Sequence, residues 1–326
     1  MDRFYDRESA RSTLHNVIMQ AIAEESDVPV ATLPWAHVCV FRPLLRIPSL
    51  NLTQDVDATL TLTRDPAMWR LISPQDEELV VRVFGIVSVR AIPPFLRRFN
   101  ERNPPREYLK QSIVITGLGD DMFLDQIQAL TRLTDRFAND PAFQSRLCIP
   151  YNGSVFEDHP AMCAGTRIFT QRSSAPGALE VLFEPGVDET GTLMAFKPDH
   201  LVHCADNVVE YREKGNANGV RLAKPSAFAV GDIVELHVCI RWVSTSDHQA
   251  KSIVNLIRLT KVSDVFRREA RRGRETLVRS LIVQPDAPRS FKRARLPPLL
   301  PDDVDCLRQD FDGMRIPPPK KMRVDE

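Results

Sequence analysis

Residues 90–110 hold the densest mixture of groups able to meet a nucleic acid. Six cations, Arg90, Arg97, Arg98, Arg102, Arg106 and Lys110, stand against Glu101 and Glu107, a net of +4. Phe95, Phe99 and Tyr108 are interleaved with them. Cations can track a phosphate backbone while rings stack on unpaired bases, which is the chemistry of single-strand binding. Phe95, Arg97, Arg98, Phe99, Arg102 and Arg106 are therefore candidate contacts. The competing reading is an exposed loop whose two phenylalanines fold back onto the core. A second basic group, Arg267, Arg268, Arg271, Arg272 and Arg274, with Arg279 beyond it, lies in a stretch of helical texture. Each phosphate it met would release counterions. The competing reading there is a solvated helix face, and a basic amphipathic helix also suits a membrane surface or calmodulin. Two short clusters follow: Lys292, Arg293 and Arg295, then Lys320, Lys321 and Arg323 after three prolines. Both have the form of addresses read by a nuclear import receptor. The competing reading is a solvated tail.

Nothing in the chain points as strongly to catalysis. His200, His203 and Cys204 offer two imidazoles and a thiol. On a strand the two histidines face opposite ways, which is poor for a shared metal. His37, His159, His237 and His248 show no spacing for a triad. There is no GxSxG, HExxH, Walker A or GxGxxG pattern. Gly117, Leu118 and Gly119 make half a dinucleotide fingerprint, and the adjacent Asp120 and Asp121 would repel phosphate. The expectation is no catalytic residue, no metal and no cofactor, with an enzyme as the weakest reading.

The elements that must position these groups are legible in outline. Residues 8–26 put Leu14, Val17, Ile18, Ala21 and Ile22 on one helical stripe, ended by Asp27 and Pro29. Residues 36–41, 57–63 and 78–90 have β texture, and Gly85 marks a bulge or a close approach in the last of them. Four prolines interrupt residues 91–110. A strand over 111–118 precedes a helix over 120–139, with Asp120 or Asp121 as its N-cap. Seven further strands are predicted at 166–171, 178–184, 192–197, 207–212, 219–223, 232–243 and 251–262. The last two read as an antiparallel hairpin across a polar turn. A helix follows over 264–283. Beyond it the chain is rich in proline and poor in bulky residues, as in a disordered tail.

The chain has 326 residues with 43 Lys+Arg and 43 Asp+Glu, so its formal net charge is zero. That balance hides an asymmetry. Residues 267–326 carry 15 basic and 10 acidic groups, a net of +5, and the rest carries −5. Residues 267–295 alone hold 10 basic groups against 3 acidic ones. Such a split suits an interaction tail. A mean hydropathy of −0.22 and the lack of a long apolar run argue against a membrane protein. The charged first ten residues do not read as a secretory signal. Six scattered cysteines without a CxxC pair fit reduced thiols of an intracellular protein.

The Val-rich segment 79–90, the hairpin opening at Gly231 and Asp232, and the basic Pro-rich tail resemble a family of uncharacterised proteins from mushroom-forming fungi. The resemblance covers residues 30–265 and brings no catalytic motif. It implies a single-strand-binding-like β-barrel of OB type. Here the β segments outnumber the five strands of a minimal OB barrel. The fold expected is mainly β (α+β), an antiparallel barrel or sandwich with one internal helix. The expected organisation is an N-terminal helix over 1–29, a β-rich domain over 30–265 and a basic flexible tail over 266–326. The function expected is non-enzymatic binding of single-stranded DNA or RNA, in the nucleus. The alternative is a protein-interaction or structural module, nuclear or cytoplasmic, with a protein partner and no membrane.

Overall fold

A computed structural model describes residues 1–26, 61–65, 68–72, 78–95, 109–143, 146–149, 151–215, 219–246 and 248–282. The expected strand at 36–41, most of that at 57–63 and the Pro-rich tail lie outside the described residues.

The chain opens with α1 (Arg7–Ser26). The Asp6 carboxylate accepts from the Ser9 amide at 3.0 Å and so caps its first turn. Ala10, Leu14, Ile18 and Ala21 form its buried stripe, which packs on the strand Val80–Ala91 and the helix Asp121–Phe137. The strands are β1 (Thr61–Asp65), β2 (Met68–Ile72), β3 (Val80–Ala91), β4 (Lys110–Thr116), β5 (Leu147–Ile149), β6 (Ser154–Phe156), β7 (His159–Arg167), β8 (Thr170–Gln171), β9 (Leu201–Val202), β10 (Glu210–Lys214), β11 (Val220–Leu222), β12 (Ile233–Ser246) and β13 (Gln249–Ser263). The remaining α-helices among the described residues are α2 (Asp121–Phe137), the single-turn α3 (Thr192–Phe196) and α4 (Val265–Ile282).

Among the described residues, eleven strands share one sheet, ordered β11-β10-β13-β12-β3-β4-β7-β6 along its main path. β2 joins through β12 and carries β1, and β5 joins through β13. The expectation of a β-rich fold with one internal helix holds. The sheet is mixed rather than wholly antiparallel, because β10 and β5 each run parallel to β13. Within it, β3, β4 and β7 form an antiparallel meander. The hairpin β12–β13 returns to it, with β12 antiparallel to β3. β13 lies against β7 on the far side, where Thr166 Oγ1 donates to the Leu256 carbonyl at 2.5 Å. No ladder joins these two strands among the described residues, so the sheet is not closed into a barrel.

Both faces of β12 are covered. Val234, Leu236, Val238, Ile240 and Trp242 point into the apolar core beside Val81, Val83, Leu256 and Leu259. The alternate residues Glu235, His237, Cys239 and Arg241 are also buried. Gly85 is a close approach: a Cβ there would lie 2.8 Å from the Ile115 side chain across the sheet. The irregularity in the β3–β4 register sits at Ser88 instead, between Val87 and Val89.

α2 is capped as expected, with Asp120 Oδ1 accepting from the Phe123 amide at 2.9 Å. Such a cap contributes about 1 kcal/mol. Gln126 then performs a strand's duty. Its side chain accepts from the Phe84 amide (2.9 Å) and donates to the Phe84 carbonyl (3.2 Å), where the β4 ladder has ended.

Two expected strands are absent. Residues 178–184 lie between two Pro/Gly pairs and run without regular pairing, although Val181 N reaches the His203 carbonyl at 2.9 Å. Residues 192–197 turn into α3 instead. Gly191 takes a positive φ, and the Asp188 carboxylate accepts from Leu193 and Met194 amides, at 2.9 and 3.0 Å. That double cap nucleates a helical turn where alternation alone suggested a strand.

Candidate nucleic-acid interface

The strand directions bring several segments to one end of the sheet. β3 finishes there at Ala91 and β4 starts there at Lys110, so residues 92–109 connect the two strands at this end. β7 finishes beside them, with Arg167 opposite Lys110. β12 begins at this end, with Ile233 opposite both Ile86 and Ser263. β13 therefore ends here too, and α4 departs from it after Asp264. Arg90, Lys110 and Arg167 thus stand on three neighbouring strands at one end.

This end is held rigidly. The Gly231 amide donates to the Val87 carbonyl (2.8 Å) and the Val87 amide to the Asp232 carbonyl (2.9 Å). Arg90 Nη1 donates to the Phe228 carbonyl at 2.6 Å. Gly231 has φ near +92°, and a Cβ on it would lie 2.7 Å from the Tyr5 ring. Tyr5 donates its hydroxyl to the Gly231 carbonyl at 2.8 Å, and burial pushes its pKa up. The start of β4 is bolted by a buried relay. Tyr211 donates to Gln111 Oε1 (2.7 Å), Gln111 Nε2 to the Asn207 carbonyl (3.0 Å), and Asn207 Nδ2 to Thr170 Oγ1 (2.9 Å).

The sequence candidates meet different fates. Phe95 is half-buried against the core, so its ring is engaged there rather than offered to a base. Arg97, Arg98, Phe99, Arg102 and Arg106 lie outside the described residues, as do Lys292, Arg293, Arg295, Lys320, Lys321 and Arg323. Residues 265–282 form α4, the helix expected over 264–283, and it is docked on the body although the expected division placed it in the flexible part from 266 onward. Phe266 and Ala270 pack on the core, and Phe266 meets Tyr5 edge-on at 6.3 Å. Arg267 bonds the fully buried Asp232 (2.5 Å) and Asp264 (3.2 Å). Burial pushes the Asp232 carboxyl up, against the opposing pull of the Ala229 amide and Arg267. Arg268 pairs with Asp264 (3.0 Å), Arg271 with Glu275 (2.9 Å) and Arg274 with Asp2. Arg272 is exposed.

A charged network away from this end escaped sequence reading. Arg241, 5% exposed, bonds both oxygens of Glu78 at 2.6 and 2.7 Å and Asp206 at 3.1 Å. Arg70 bonds Asp206 at 2.8 Å. Asp206 is held below the usual carboxylate range because these guanidiniums outweigh its burial. On the same face of β12 but nearer its start, Glu235 accepts from Arg82 (2.9 Å) and bonds His237 (2.8 Å). Burial raises the Glu235 pKa, but His237 and Arg82 outweigh it and hold the group at about 2. Cys239 is pushed up to about 12 by burial and stays a thiol. The only hint in sequence was a polar residue at every second position of β12. These groups tie β2, β3 and β12 together.

His203 sits in a different setting, with Nδ1 2.7 Å from the Ile168 carbonyl and its ring 4.1 Å from Phe183. Burial lowers its pKa. Among the described residues no three His, Cys, Asp or Glu side chains group to hold a metal, and no helix is long and apolar enough to cross a membrane.

No protein-family model matches the chain, and no curated protein matches it. Among solved structures, it is similar to a C-terminally truncated single-stranded DNA-binding protein from bacteriophage Enc34. The identity is 10% and the TM-score 0.29, over 64% of this chain and 96% of that one. At that score the likeness decides neither fold nor function.

Proposed function

We propose that this protein binds single-stranded nucleic acid, without catalysis, across the end of the sheet where the β3–β4 connection and α4 meet. One observation carries the reading. Two basic segments far apart in sequence, 90–110 and 267–279, are attached to the same end of one rigid sheet. Arg90, Lys110 and Arg167 continue the positive charge onto the strands between them. The strand path supports the same reading. A three-strand meander followed by a returning hairpin is the strand order of an OB-type barrel, here left open between β7 and β13, and the first connecting loop of that barrel helps to hold oligonucleotides. In this chain that loop is the segment rich in arginine and aromatic residues. Arg97, Arg98, Arg102 and Arg106 are assigned to phosphates and Phe99 to base stacking.

The test is a salt titration of binding to a single-stranded homopolymer, followed by fluorescence anisotropy. Each lost phosphate contact should reduce the log–log salt slope by about 0.7. The Arg97→Gln/Arg98→Gln variant is expected to flatten the slope by about 1.4 and to weaken binding at low salt. An unchanged slope would remove this loop from the interface. A wild-type chain that binds no single strand at low salt would overturn the reading altogether.

A further inference from the structure

The arginines of α4 fall into two classes by position on the helix. Phe266, Ala270, Gly273 and Leu277 recur at the spacing of one face, and this face is turned inward. Phe266 and Ala270 meet the core, and Phe4 of the N-terminal arm lies over Gly273. Arg267 and Arg274 flank that face and are tied to the body, to Asp232 and Asp264 and to Asp2. Arg268, Arg272 and Arg279 follow a second line, at i, i+4 and i+11, on the side away from the core. All three are exposed. Arg268 shares Asp264 with Arg267. Among the described residues, Arg272 and Arg279 have no ion-pair partner. Glu275, also exposed, lies on the same side, but Arg271 neutralises it at 2.9 Å.

We infer that this outer line is a phosphate rail, and that the strand bound at the β3–β4 end of the sheet continues along α4. The inference rests on the single-strand reading above and names a second part of the same interface. Four residues of helix rise about 6 Å, which suits the phosphate-to-phosphate step of an extended single strand. A guanidinium can hold a phosphate through two parallel N–H bonds. The inner face argues against a membrane. A helix that lies on a bilayer inserts its apolar side, and that side of α4 is already filled by Phe4, Tyr5 and the core. On its exposed side, Val265 and Val278 stand apart from each other as single apolar side chains, and Arg268, Arg272 and Arg279 form the continuous line. Arg267 and Arg274 then serve as ties that fix the direction of the rail.

The test uses the full chain with a poly(dT) oligonucleotide. Arg272→Gln/Arg279→Gln is expected to reduce the salt slope by about 1.4 and the low-salt affinity several-fold, with an unchanged thermal midpoint. Glu275→Gln removes the one anion on the line and is expected to tighten binding several-fold. A merely structural role for these residues would not produce that gain. A slope unchanged in the double variant, while Arg97→Gln/Arg98→Gln flattens it, would overturn the rail and leave the loop in place. Loss of binding to phosphatidylserine vesicles in the double variant, with the oligonucleotide slope unchanged, would also overturn it in favour of a membrane. A wild-type chain that does not bind poly(dT) would overturn both the rail and the reading beneath it.

Discussion

At the scale of single residues, charge in this protein divides into groups that build and groups that are free to bind. Glu235 is the clearest builder. It is buried between Arg82 and His237, and its carboxyl is held at about 2. A depressed carboxylate contributes stability above its unfolded pKa and loses it as pH falls through the folded value. Glu235 should therefore contribute about 3 kcal/mol at neutral pH, lost between about pH 4.5 and pH 2. Asp232 works in the opposite sense, since burial raises its pKa and penalises ionisation as pH rises. Denaturant titrations across this acidic range should show stability falling as pH drops. The Glu235→Gln variant should be weaker at pH 7 and show a flatter acid limb. Equal acid slopes in the two proteins would show that the Arg82–Glu235–His237 cluster does not set the pH response. The sequence offered these residues only as an alternation along one strand. It could not say that both faces of that strand are covered, because the covering groups Glu78 and Asp206 come from elsewhere in the chain.

At the scale of elements, the long amphipathic helices and the last hairpin were readable, and the small connectors were not. α1, α2, β3, β4, β12 and β13 each carry their own periodicity and caps, so local pattern and tertiary demand agree. α3 and the coil over 178–184 were misread because two Pro/Gly pairs and one capping carboxylate, Asp188, override a weak alternation. No expected strand covers β6 or residues 159–165 of β7. Their pairing with each other and with β4 is long-range and leaves little pattern in the sequence HPAMCAGTR. The parallel edges, β5 and β10 on β13, were equally invisible for that reason. Among the described residues, β7 and β13 meet through side chains and not through a ladder. Thr166 donates to the Leu256 carbonyl at 2.5 Å and reaches Asn255 at 3.2 Å. Thr166→Val keeps the shape and removes the donor to the Leu256 carbonyl. The expected cost is about 1 kcal/mol in urea unfolding. Faster amide exchange at the ends of β7 and β13, but not in β3, should accompany it. A variant with wild-type stability and exchange would show that the sheet does not depend on this bridge.

At the scale of the whole molecule, a net charge of zero resolves into an acidic body and a basic C-terminal part. The topology then decides where the basic part can act. α4 is not a loose extension, because Arg267, Arg274, Phe266 and the arm at Phe4 and Tyr5 fix it to the sheet. It leaves from the same end as the loop that sequence composition marked as a binder. Neither the helix nor the loop has a partner signature by itself. Their common origin at one end of the sheet is the basis on which an extended anionic strand is proposed as the ligand of both. The most direct test is photo-crosslinking of the full chain to a single-stranded oligonucleotide carrying halogenated bases, with the crosslinked peptides identified by mass spectrometry. The account predicts crosslinks in the peptides spanning 90–110 and 264–279, lost on raising the salt. Crosslinks confined to the opposite end of the sheet, around β5 and the β12–β13 turn, would contradict it.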